Sequence, residues 1–386
     1  MDPLDKADWS FPIPIHYGPG RIAELGEVCK RYGIGRPLLV TDRGSRNLPF
    51  IGQISRSLAE ARLGVGIYAD LSPNPVDSEI LAGKRVFNQG GHDGVLAVGG
   101  GSGMDGGKAI SLIAGRGEPL WDFDFDVPVK EVDTGFVPLI CVPTTAGTGA
   151  ETDSTAMVTD TSRGIKGCVW HPLQKPRAAI LDPVLTQGLP SKLTAWTGCD
   201  ALVHAIEAFS VDAWHPMCDG IALESMRLIG RWLRLAVKEP NNLRARGGML
   251  VGSCLAGVAF LKGLGLVHAI SHMVGAGFDT HHGLTNAIVL PVVLRFNEPA
   301  IADKVPEICA ALGVRGRSFD AFHAEICSLL DGLGVPVRLS DIGVSPNSCA
   351  DLAMKASKDP AALTNPRRAS LKEIEDLIHE AVTCAR

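Results

Sequence analysis

No two of the ten cysteines stand in a CxxC pair, and this removes the thiolate pattern by which structural zinc is commonly held. The opening MDPLDKADWSF is acidic and lacks the basic and apolar parts of a signal peptide, so the scattered cysteines read as reduced core thiols. Long hydrophobic runs are missing too. The longest uncharged stretch, Thr134 to Ala150, is too short and too rich in Gly, Pro and Thr to span a bilayer. Lys and Arg never gather in runs and the net charge is −5, which leaves no basic face for nucleic acid or an anionic membrane. There is no internal repeat and no low-complexity segment. These absences point to a cytoplasmic protein acting on a small neutral or modestly charged molecule.

At 386 residues and 46% hydrophobic composition, the chain suffices for two domains, each with its own core. Its first half alternates strand-like and helix-like segments. Strands are predicted over Pro37 to Thr41, Val65 to Ala69, Gly94 to Val98, Pro138 to Val142 and Ala178 to Leu181. Helix-compatible stretches, Asp77 to Asn88 and Met104 to Ile113 among them, lie between, so the region reads as βαβ units with a parallel sheet. A hairpin is expected from Ser154 to Thr159 and Gly167 to Trp170. After Asp182-Pro183 the texture changes to long periodic apolar segments such as Asp219 to Val237 and Leu371 to Thr383. The expected division is an α/β domain over 1–185 and a helical domain over 186–386.

Histidine is where chemistry gathers. Asp200 and His204 are four residues apart in a helical stretch, so both leave one face and can reach one ion. His268 and His272 repeat that spacing, and His281 and His282 follow after a Gly-containing turn. One carboxylate with three imidazoles suits Zn²⁺ or Fe²⁺ and leaves a position open for water or substrate. Against the plain alternative of core histidines stands the cost of burying so many imidazoles without a common partner. Spacing leaves open which of His272, His281 and His282 is not a ligand.

A second signal is GGGSGMDGGKAI, which follows the strand Val95 to Val98 and opens a helix. Glycines let the backbone approach an anion, and helix N-terminal N–H groups can cradle a phosphate. The loop is neither a Walker A motif, which would need Gly where Ser102 stands and Ser or Thr where Ala109 stands, nor a Rossmann fingerprint at the first strand. PTTAGTGAETD, Pro143 to Asp153, follows another strand and offers hydroxyls that could complete a pyrophosphate site.

These motifs resemble the iron-containing (group III) alcohol dehydrogenases. GGGSGMDGGKAI is similar to their GGGSxxDxxKxI loop and PTTAGTGAE to their PTTxGTGSE loop. DPVLTQGLPSKLTAWTGCDALVHAIEAF and GLGLVHAISHMVGAGFDTHHGLTNAIVLP resemble their two metal-binding segments. The resemblance runs in order from about Ile15 to Val382. It implies the dehydroquinate synthase-like fold, with an α/β dinucleotide-binding domain carrying a parallel sheet and an all-helical C-terminal metal-binding domain. It implies metal ligands at Asp200, His204, His268 and His282, and a proton-handling role for His272 beside the nicotinamide, with no role for His281. For the cofactor it implies Gly99, Gly100, Ser102 and Asp105 at the pyrophosphate, with Thr144, Thr145 and Thr148 beside them. Asp42 falls at the adenosine ribose, and Lys166 and Leu185 near the nicotinamide ribose. For Lys108 the plain expectation is a surface ion pair.

Ala150 departs from the usual Ser. Within Ala256 to His268 (AGVAFLKGLGLVH), AFLKGLGLVH stands where the family has AFNNAxLGxVH, which is one residue longer, so substrate identity does not carry across it. The implied activity is hydride transfer between NAD(H) and a small primary alcohol or aldehyde, with Fe²⁺ favoured and Zn²⁺ chemically acceptable. Three rivals stand beside it: a zinc polyol dehydrogenase of glycerol type, a dehydroquinate-synthase-like lyase, and a non-catalytic metal-binding scaffold. The lyase would need a Lys and Arg cluster that the helical half lacks. The Phe11 to Gly20 segment alternates apolar residues with proline and suits an edge strand, and relatives join such segments across a two-fold axis, so a homodimer is expected.

Overall fold

A computed structural model describes residues 13–384. Along the first half run β1 (Ile15–Tyr17), α1 (Leu25–Arg31), β2 (Pro37–Asp42), α2 (Pro49–Glu60), β3 (Gly66–Leu71), α3 (Asp77–Gly90), β4 (Gly94–Gly99), α4 (Gly101–Ile113) and β5 (Leu139–Pro143). The hairpin β6 (Ala156–Asp160) and β7 (Ile165–Val169) follows, and then β8 (Ala178–Leu181). Six strands form one parallel sheet in the order β1-β8-β5-β4-β2-β3, and the hairpin is a separate antiparallel pair. The central strands β4, β5 and β8 are buried at every residue. That accounts for their continuous apolar runs: a parallel strand covered on both faces has no polar side to alternate.

On one face Leu39, Leu96, Val98, Ile140, Val142 and Ile180 pack with Leu25 and Val28 of α1 and Ile54 and Leu58 of α2. Truncating one such buried leucine to alanine costs about 2–5 kcal/mol. β1 falls inside the Phe11 to Gly20 segment expected as an edge strand, and counting it makes the strand ending in Asp42 the second and the strand before the glycine loop the fourth. Asp182, fully buried just past β8, accepts the backbone N–H groups of Gly20 (3.1 Å), Ile22 (3.0 Å) and Val184 (3.0 Å), which ties the turn after β1 to the end of its neighbour β8. Phe11 and Pro12 of the expected edge segment lie outside the described residues.

The remaining chain is helical: α5 (Ser191–Ser210), α6 (Pro216–Lys238), α7 (Leu243–Ala259), α8 (Leu266–Phe278), α9 (His282–Ile301), α10 (Val305–Leu312), α11 (Phe319–Gly332), α12 (Cys349–Ala356), α13 (Pro360–Thr364) and α14 (Leu371–Thr383). α5 is buried along almost its whole length from Thr194, the mark of a helix at the centre of a bundle. α14 shows the opposite pattern. It buries one stripe, Ile374, Leu377, Ile378, Ala381 and Val382, behind a capping box of Ser370 and Glu373. Leu243 to Lys262 is long and apolar enough to cross a membrane, although charged residues at its ends interrupt the uncharged run, and here it is mostly buried in the bundle. The ten cysteines form no disulfide among the described residues, and Cys384 is exposed rather than in a core.

Two compact units result. One holds the sheet, up to Thr145 and again over Ala150–Gly188; the other holds the helices from Leu189 onward together with Ala146–Gly149. The partition is therefore not a single cut. The tip of the PTTAGTGAETD loop belongs with the helices because glycine lets it lie against them. A Cβ on Gly149 would stand 2.5 Å from Gly257 Cα on α7, and one on Gly147 would stand 2.7 Å from Thr197 Cβ on α5.

Candidate metal centre and nucleotide cradle

In the helical unit α5, α8 and α9 bring Asp200, His204, His268 and His282 together, with one ligand atom from each inside a 4.8 Å span. Asp200 and His204 are successive turns of α5. His268 lies in the first turn of α8, and His282 is the first residue of α9. Gly283 makes the last approach feasible, since a Cβ there would meet Trp196 O at 2.3 Å and Asp200 Cβ at 3.0 Å.

Asp200 Oδ1 lies 3.8 Å from His268 Nε2 and 3.5 Å from His282 Nε2. Asn286, one turn after His282, donates from Nδ2 to Asp200 Oδ1 (2.7 Å) and stands 3.2 and 3.1 Å from the Nε2 atoms of His268 and His282. The His204 and His268 rings stack at 4.5 Å, and His204 Nδ1 is buried with no hydrogen-bond partner. Burial holds His268 well below the ordinary imidazole value, reinforced by His204 and opposed by Asp200, so its ring is neutral and its lone pair available. A buried carboxylate and three imidazoles converging on one point fit a divalent ion.

His272 stands beside this cluster, its ring stacked on His282 at 5.4 Å and edge-on to His268 at 5.9 Å. Its Nδ1 lies 2.8 Å from Asp359 Oδ2. Burial pushes the Asp359 carboxyl up, but its pairing with His272 outweighs this and holds the group below the usual carboxylate range. His281 serves the fold instead. Its side chain caps α9 by accepting the N–H of Leu284, and its ring packs on Trp196.

Two neighbours were missed by sequence reasoning. Glu207, three residues after His204, lies 2.6 Å from His268 Nδ1, and burial lifts its carboxyl to about 7 against the pull of the Val267 and Gly265 N–H groups. A carboxylate inside the apolar HAIEAF was the available signal. Asp359 gave none, since KDPAAL reads as a helix cap, and Asp359 does cap α13 at Ala361 N (2.9 Å).

In the sheet unit β4 ends at Gly99, whose φ of +135° favours glycine, and α4 begins at Gly101 rather than Met104. The glycines of the motif are thus mostly helical. They let α4 press on the sheet: a Cβ would meet Val98 O at 2.4 Å from Gly103 and Ala97 Cβ at 2.4 Å from Gly107. The N-terminus of α4 presents N–H groups for an anion, with Ser102 in its first turn. Thr145 lines the approach, its Cγ2 3.2 Å from where a Gly100 Cβ would be, and Thr144 donates its backbone N–H to Gly99 O (2.9 Å).

Asp42, at the end of β2, points its carboxylate toward Gly99 while accepting the N–H (2.9 Å) and hydroxyl (2.7 Å) of Ser45. Asp105 is raised to about 6 by burial, with Lys108 and Lys166 opposing. Lys166 also donates to Asn74 Oδ1 at 3.4 Å. Leu185 is buried in the apolar face of the sheet, and Thr148 groups with the helical unit instead of with these residues. Lys108 corrects its expectation. It is 1% exposed and paired with Asp153 at 2.5 Å, because α4 carries it under the 150–155 segment rather than out to solvent.

A glycine-bounded helix N-terminus on a parallel sheet and a carboxylate–imidazole cluster in a helical bundle are the features of a nucleotide- and metal-binding class of enzyme. Residues 12–183 match the family model "Iron-containing alcohol dehydrogenase", and residues 194–382 match "Fe-containing alcohol dehydrogenase family, C-terminal". The NAD-dependent methanol dehydrogenase of Bacillus methanolicus is 36% identical over 372 residues, covering 95% of this chain and 97% of that protein. The 1,3-propanediol dehydrogenase of Citrobacter freundii is 36% identical over 385 residues, covering 97% and 98%. A crystal structure of 1,3-propanediol oxidoreductase superposes with a TM-score of 0.93 at 35% identity, covering 98% of this chain and all of that one. The chain belongs to the iron-containing alcohol dehydrogenase family.

Proposed function

We propose that this protein is an NAD-dependent, metal-dependent oxidoreductase of a small primary alcohol or its aldehyde, and that it uses the residues described above. The observation that carries this reading is the convergence of Asp200, His204, His268 and His282 on one buried point with His272 stacked beside it. When bound, a divalent ion supplies a Lewis acid to the alcohol oxygen and a nicotinamide supplies the hydride acceptor. Fe²⁺ is the metal the family name indicates, and Zn²⁺ is compatible with the same donors.

The chain's own part is positioning and proton handling. His272 donates from Nδ1 to Asp359, so Nε2 is the atom left to take the alcohol proton. Gly99, Gly100, Ser102 and Asp105, with Thr144 and Thr145, are proposed to hold the pyrophosphate, and Lys166 and Leu185 the nicotinamide-ribose half. Asp42 is proposed to accept the adenosine ribose hydroxyls and to repel a 2′-phosphate. Phe260 packs against the His204 ring at 5.1 Å. The nearby cation Lys262 is committed to Asp219 at 2.5 Å. A cytoplasmic location and a homodimer belong to the same reading.

The experiment is an anaerobic panel of primary alcohols and diols with added Fe²⁺ or Zn²⁺, read as NADH absorbance. Alcohol-dependent NADH formation that a chelator abolishes and that prefers NAD over NADP is expected. No metal-dependent signal with any alcohol or aldehyde overturns the activity, and equal rates with NADP overturn the role of Asp42.

A further inference from the structure

Glu207 is the buried carboxylate that the reaction above leaves unused. Both of its oxygens are engaged: Oε2 lies 2.6 Å from His268 Nδ1, and Oε1 accepts the N–H of Val267 at 2.8 Å. Room for the group comes from Gly265, just before α8, where a Cβ would stand 2.7 Å from Oε1. The carboxylate therefore sits at the N-terminus of α8, where the helix dipole favours an anion, and grips the imidazole in that helix's first turn. Neither companion imidazole is held this way. His282 Nδ1 meets the neutral hydroxyl of Ser271 at 3.1 Å, and His204 Nδ1 is buried with no hydrogen-bond partner.

We propose that Glu207 is a positioning residue for the metal centre: by accepting the Nδ1–H of His268 it fixes the tautomer whose Nε2 lone pair faces Asp200. The inference rests on the metal reading of the cluster. An ionised carboxylate only accepts hydrogen bonds, so it can serve both Val267 and His268 at once. Glutamine of the same shape cannot. With its amide oxygen on the Val267 N–H, its NH₂ faces His268 Nδ1 and favours the Nε2–H tautomer, which has no lone pair for a metal. Turned the other way, the NH₂ meets the Val267 N–H donor to donor. Outer partners of ligating histidines typically contribute about 10–100-fold to metal affinity.

The test is titration of the full chain with Co²⁺ in a chelator buffer, read by its visible spectrum, with NADH fluorescence titration as a check on the sheet unit. Glu207→Gln should weaken Co²⁺ binding by about 10–100-fold with the NADH dissociation constant unchanged, and Ser271→Ala should weaken it by only a few-fold. Nitrogen-15 NMR of the metal-free protein should find His268 as the Nδ1–H tautomer in the wild type and as Nε2–H in Glu207→Gln. Wild-type Co²⁺ affinity in a folded Glu207→Gln, or an unchanged tautomer in it, overturns the proposal. So does an Nε2–H tautomer in the wild type, which requires no variant. Undiminished Co²⁺ binding by His268→Ala is a separate result, because it removes the metal reading itself.

Discussion

His272 and Asp359 are 87 positions apart, and their pairing at 2.8 Å makes a prediction about proton transfer that the metal cluster alone does not. If His272 Nε2 accepts the alcohol proton, His272→Ala should keep its metal and bind NAD while losing about 10²–10⁴-fold in alcohol oxidation near neutral pH. Part of that rate should return as pH rises and hydroxide replaces the base. Asp359→Asn should lower the rate less, because the imidazole remains but its tautomer is no longer enforced. Rates across pH and metal content decide the matter: loss of metal from His272→Ala with no recovery at high pH makes His272 a support for the cluster instead.

Glycine in α4 acts at the level of the element. α4 lies so close to β4 that Gly107→Ala must push the helix off the strand, at a cost of about 1–3 kcal/mol. Because the same helix carries the proposed phosphate cradle at its N-terminus, about two turns before Gly107, the substitution should also raise the NADH dissociation constant. Gly117→Ala is the control, since a Cβ there meets nothing within 4 Å. Fluorescence titration giving equal affinity for both variants would separate the cradle from the packing. The parallel strands were legible in the sequence because uninterrupted apolar runs ending in turn signals have few other uses. The i,i+4 spacing made Asp200 and His204 legible as a pair on one helix face, but it joined His268 to His272, and only the family resemblance singled out His282. What sequence reading missed was held by partners far along the chain. Lys108 reads as a surface cation until Asp153 is placed over it, and Asp359 presents itself as a helix cap.

For the whole molecule the open question is assembly. Among the described residues β1 has β8 as its one strand neighbour, and Ile15 and Tyr17 are exposed on it. An edge of this kind accepts a strand from a second copy, so light scattering at micromolar concentration should report a dimer. A monomer at that concentration counts against the pairing. Neither unit is continuous in sequence, so a fragment starting at Leu189 would lack Ala146–Gly149, the segment that lies against α5 and α7.

β1 pairs in parallel with β8, Ile15 opposite Ala179 and Tyr17 opposite Leu181. A ribosome releases these partners more than a hundred and fifty residues apart. At the usual 5–20 residues per second, the earlier strand waits on the order of ten seconds for its mate. During that interval the nascent chain carries a strand whose one strand neighbour among the described residues has yet to be made. Synthesis order therefore makes this sheet edge the place where a chaperone, or another newborn copy, can arrive first.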